Sequence, residues 1–154
     1  MTDGPRKPSL HELSRQLPSG DEYATFIDSL HEIDARAAAL VLASFIDSML
    51  ERAIDLNFLL LSRKKDNALF RDKGAPLSSF SAKIAVAHAL GIFDDEYRDQ
   101  LDRFRAIRNT FAHAIRPFDF NEPTIATECL KLDPRRLMNE GGGSEVGREA
   151  GPKS

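Results

Sequence analysis

Residues 34–62 read DARAAALVLASFIDSMLERAIDLNFLLLS, and this stretch decides the fold. Alanine, leucine and glutamate dominate it and neither Gly nor Pro interrupts it, so a helix is expected from Asp34 to about Ser62. Ser44, Asp47, Ser48, Glu51, Arg52 and Asp55 recur at helical spacing and form one narrow polar stripe. Nearly everything else is apolar, from Leu40 and Val41 through Phe45, Ile46, Met49, Leu50 and Ile54 to Leu60. A helix apolar on most sides is either central in its domain or shared between subunits. Both options stay open at this point.

The flanks add shorter helices and no strand-period alternation, which makes the chain all-α, a compact bundle of about four to five helices. Residues 1–19 hold three prolines and mixed charges and read as a flexible arm, with a turn of helix around Leu10–Leu13. A helix then opens at Gly20-Asp21-Glu22, with Asp21 as its cap and Phe26, Leu30 and Ile33 on its apolar side. The connection 63–79 is long for a compact domain, so a short helix or a function is expected within it. Ser78 or Ser79 caps the next helix, from Phe80 to about Leu90, and Gly91 stops it. Asp94 caps the last long helix, which runs to about Ala114, with Pro117 beyond its end. A short helix beginning at Pro123 is expected within 118–133. Residues 20–137 thus read as a single helical domain and 138–154, with Gly141-Gly142-Gly143, as a disordered tail.

Composition bounds the function. With 42% hydrophobic residues in 154, the chain can build a core without staples. Cys129 is the only cysteine and has no internal partner. The amino terminus lacks the apolar segment of a signal peptide, and apolar runs fall short of the roughly 20 residues that span a bilayer. A cytoplasmic protein without membrane association is expected. A net charge of −3 argues against a strong non-specific duplex binder, and no helix is rich in the Arg, Lys, Asn and Gln of a DNA-reading element. Arg63, Lys64, Lys65, Arg71 and Lys73, with Arg105, are the candidate patch for phosphate or a partner, against the simpler reading of a solvated loop.

The last long helix holds the candidate site. Leu101, Phe104, Arg108, Phe111 and Ile115 are spaced 3, 4, 3, 4, the spacing of a packing seam with an arginine at its middle. A guanidinium there needs acceptors. The polar stripe supplies them, so Asp47 or Glu51 is expected to pair with Arg108, within the chain or across a dimer. Arg105, Asn109 and His113 stack at four-residue intervals on a second stripe. Arg108 and His113 lie about 140° apart around an ideal helix, at roughly 100° per residue. A site using both needs the helix to distort or a second subunit to complete the cleft. His11, His31 and His88 lack metal-ligand spacing with one another or with Cys129, and neither a metal nor a cofactor is expected.

Arg108-Asn109-Thr110-Phe111-Ala112-His113 resembles the Arg-x4–6-His signature of the HEPN superfamily. Ala75-Pro76-Leu77-Ser78-Ser79-Phe80-Ser81-Ala82-Lys83-Ile84, then Leu90-Gly91-Ile92-Phe93 and Tyr97, together with the Ala/Leu-rich helix, look like the mannitol operon repressor family. The resemblance spans residues 35–115. It implies a helical dimer in transcriptional regulation that works through a protein partner. The alternative it implies is a metal-independent ribonuclease acting on RNA with Arg108, Asn109 and His113. Between a regulatory module, which the broad resemblance favours, and an enzyme, the sequence leaves the choice open.

Overall fold

The computed structural model describes residues 6–58 and 68–133. Among these residues the chain is helical and contains no strand. The helices are α1 (Leu10–Leu13), α2 (Gly20–His31), α3 (Ala35–Asn57), α4 (Phe80–Ala89), α5 (Asp95–His113) and α6 (Pro123–Leu130). Residues 68–70 are helical as well, inside the long connection. The expected tail 138–154 lies outside the described residues, as do Arg63, Lys64 and Lys65 of the basic stretch.

Local chemistry sets most boundaries. The Asp34 carboxylate accepts from the Ala37 N–H at 3.0 Å, the Ser79 hydroxyl from Ala82 at 3.2 Å, and the Asp94 carboxylate from Tyr97 at 2.8 Å. Each satisfies a first-turn donor that has no intrahelical acceptor. The start of α2 differs from the expectation: Ser19 is the cap, and its N–H and hydroxyl both donate to Glu22, while Asp21 merely adds charge to the first turn. Gly91 ends α4 at a φ of 71°, the left-handed region that favours glycine. At the far end of α5, Arg36 donates to the Ala114 carbonyl, placing a cation at the negative end of the helix dipole.

α3 is shorter than expected. It stops at Asn57, whose side chain bonds back to the Ala53 carbonyl at 2.8 Å. Phe58 is extended (φ −92°, ψ 120°) and turns its ring against the core.

α3 is the central element, packed against α2, α4 and α5. Two core clusters form along it. One gathers Leu50, Ile54, Phe70, Leu77, Ile84, Ala87 and Leu101. The other gathers Ala39, Ile107, Phe111 and Ile125, with Phe118 stacked 4.9 Å from Phe111. The seam on α5 therefore runs Leu101, Phe104, Ile107, Phe111. Ile115, expected to extend it, is fully exposed because the helix has already ended at His113. No helix of the described residues is long and apolar enough to cross a membrane.

Candidate functional site

The polar stripe of α3 splits in two. Glu51 is buried and Asp47 half-buried, both turned toward α4, while Ser44, Arg52 and Asp55 stay exposed. What they turn toward is Lys83, whose side chain is 0% exposed. Its ammonium donates to Asp47 Oδ2 at 2.7 Å and to Glu51 Oε2 at 3.0 Å. Glu51 also receives Arg15 from the N-terminal arm and Arg71 from the long connection, the latter at 3.2 Å. Burial works to raise the Glu51 pKa and is the largest single influence. The hydrogen bonds and charges of Lys83 and Arg15 together outweigh it and hold the carboxyl below its ordinary value.

The expected pairing of Arg108 with Asp47 or Glu51 is thus not formed within the chain. Lys83 reaches both acids first, because α4 brings its ammonium into the wedge between them. Lys83 and Arg15 carried no signal in our reading of the sequence. The clue was there for Lys83, the only charged residue in the run FSAKIAVAHA. A lone charge in an otherwise apolar helix requires either solvent or a buried partner.

Arg108 instead donates to the neighbouring Asn109 Oδ1 at 3.0 Å and has no carboxylate partner among the described residues. Both line a cleft of about 390 Å³ together with Arg105, Asp47, Ala43, Ser44, Phe80 and Ser78, Ser79 and Ser81. The cleft sits where the two core clusters part. On α3 it is lined by Ala43, Ser44 and Asp47, and on α5 by Arg105, Arg108 and Asn109, on either side of Ile107. Arg105 uses its Nε on Asp102, at 3.3 Å. Asp47 Oδ1 is buried without a hydrogen-bond partner, while its Oδ2 is on Lys83.

The structure therefore brings together Arg105, Arg108, Asn109 and Asp47. His113 is not part of that lining. It is exposed in the last turn of α5, one turn beyond Asn109 on the Arg105–Asn109 stripe. Glu51 and Arg71 belong to the Lys83 network, and Lys73 is exposed on the connection. No group of three His, Cys, Asp or Glu side chains converges as metal ligands would among the described residues. Cys129 is half-buried on α6, where burial, and then the Glu128 charge, push its thiol pKa up and away from the reactive range.

The cleft can hold an anion. Guanidinium groups suit oxyanions through paired, charge-assisted hydrogen bonds. Asn109 adds to them, since its oxygen is engaged by Arg108 and its amide N–H groups are left to donate. Comparisons of the chain with protein-family models, with curated proteins and with solved structures find no match.

Proposed function

We propose that the chain is a regulatory interaction module of the kind that the resemblance to mannitol operon repressors implies. It is a cytoplasmic helical homodimer that acts in transcriptional regulation through a protein partner and does not read DNA with a helix of its own. One observation carries this reading: α2 is amphipathic yet has no fully buried residue. Tyr23, Phe26, Ile27 and Leu30 share one face, and the helix leans on the body through the rings of Tyr23 and Phe26 against Phe45, at 6.0 and 5.0 Å. Tyr23, Ile33 and, on α3, Val41 stay at least 40% exposed. We read these exposed apolar side chains as an interaction surface.

Sedimentation equilibrium tests the proposal. The wild-type protein sediments as a dimer, and Tyr23→Arg or Val41→Arg converts it to a folded monomer. A wild-type monomer at every concentration sinks the dimer and leaves the apolar face without the role given to it here.

A second reading has its own support. Arg108 and Asn109 line an open cleft, and no carboxylate pairs with the guanidinium among the described residues, as a metal-independent ribonuclease would require for charge developing on a phosphoryl group. His113 would serve as general acid or base. Its position outside the cleft lining weighs against this chemistry in one protomer, so a second copy would have to supply the histidine. RNA cleaved in EDTA by the wild type and left intact by His113→Ala supports the enzyme. RNA left intact by the wild type removes it.

A further inference from the structure

We propose that the cleft between α3, α4 and α5 binds a phosphate monoester, held by Arg105, Arg108 and Asn109 against the opening turn of α4. The unengaged groups on these three side chains are all donors. Arg108 spends one guanidinium nitrogen on Asn109 Oδ1, and that bond leaves the Asn109 amide N–H groups free. Arg105 spends Nε on Asp102, and its terminal nitrogens make no hydrogen bond among the described residues. The unused donors of these three side chains suit a ligand rich in acceptors, and the unpartnered Asp47 Oδ1 of the same wall is buried.

The charge balance favours a monoester over a diester. Asp47 stands in the cleft wall, but the Lys83 ammonium 2.7 Å from it offsets its charge. Glu51, the other acid on Lys83, is matched in turn by Arg15 and Arg71. Arg108 therefore supplies one uncompensated positive charge, and Arg105, whose Asp102 is shared with Arg98, supplies part of a second. A monoester carries about −1.5 to −2 at neutral pH, whereas a nucleic-acid diester carries one negative charge per phosphate. Size agrees: about 390 Å³ lies at the lower end of small-molecule pockets and accommodates a terminal group with a small substituent. Phe80 offers the adjoining carbon an apolar wall, and Ser78 at the rim adds a hydroxyl that makes no hydrogen bond among the described residues. A phosphorylated metabolite and a phosphorylated side chain share this chemistry. The site stands on the cleft and not on the apolar face of α2, so it and the regulatory reading can fail separately.

Calorimetric titration of the full chain decides the matter, with glycerol 3-phosphate and a phosphoserine tripeptide as monoester probes and dimethyl phosphate as the diester. At least one monoester binds saturably at pH 7.5, and the diester binds roughly tenfold more weakly or worse, a gap of about 1.4 kcal/mol. Preference for one monoester over the other identifies the source. Arg108→Gln and Arg105→Gln each weaken binding, Asp47→Asn strengthens it, and Arg52→Gln, outside the cleft, leaves it unchanged. Affinity falls as pH drops through about 6, where the dianion is protonated. Absence of saturable monoester binding by folded wild-type protein overturns the proposal. Equal affinity for dimethyl phosphate, or full binding by the folded Arg105→Gln/Arg108→Gln double variant, overturns it as well.

Discussion

α3 borders two charged regions a turn apart, and they are built on opposite terms. Around Glu51, every formal charge has a partner: Lys83, Arg15 and Arg71 converge on it, and Asp47 shares the Lys83 ammonium. Around Arg108, a guanidinium lines an open cleft, and among the described residues its hydrogen-bond partner is a neutral amide. The first arrangement is what burial demands, since a charge without a partner there costs several kcal/mol, an order-of-magnitude figure. The second is tolerated because Arg108 is only partly buried. Paired charge holds the helices together, and unpaired charge at an open surface is left to act on something else. Asp47 belongs to both regions, with one oxygen on Lys83 and the other unpartnered.

The sharpest way to break this contrast is Lys83→Met. It leaves Asp47 without its cation and should cost about 3 kcal/mol or more, read as a lower urea midpoint. Acid should act on the same region. The Glu51 pKa is depressed in the folded state, so the stability it contributes is complete above its ordinary value of 4.5 and is lost as pH falls through the lower folded value. Urea midpoints measured between about pH 5 and 3 should fall more steeply for wild type than for Glu51→Gln. Arg15→Ala removes one of three cations from Glu51, and the arginine is 29% exposed. A loss of at most about 1 kcal/mol is expected. Arg108→Gln should change stability least, within about 0.5 kcal/mol. A large loss there would mean that Arg108 is structural and would collapse the distinction between the two regions.

Much of the fold was legible because its signals are local. Asp34, Ser79 and Asp94 cap helices through atoms three residues away, and Gly91 and Pro123 mark a stop and a start by their own backbone preferences. The errors came where distant residues decide. Whether Asp47 meets Arg108 or Lys83 depends on how α4 docks, and residues 47 and 83 are 36 positions apart. Phe58 leaves the helical pattern because a core assembled from later residues takes its ring. Ile115 fits the heptad spacing but follows the helix end, which periodicity alone does not register. Within the candidate site, Arg108 and Asn109 were found from their motif. Ser78, Ser79 and Phe80 entered the cleft only through the packing of α4 beside α5.

Glu51 also imposes an order on assembly. Its three cations come from residues 15, 71 and 83, so its network closes only after the arm, the connection and α4 have all arrived. α4 docks with the main core cluster, whereas Arg15 is a tether on the outlying arm. Contacts made after the transition state govern the rate of unfolding and leave the rate of folding nearly untouched. Stopped-flow measurements on Arg15→Ala should therefore show faster unfolding with an unchanged refolding limb, and an ion pair of modest weight at equilibrium would act as a brake on the folded state's escape.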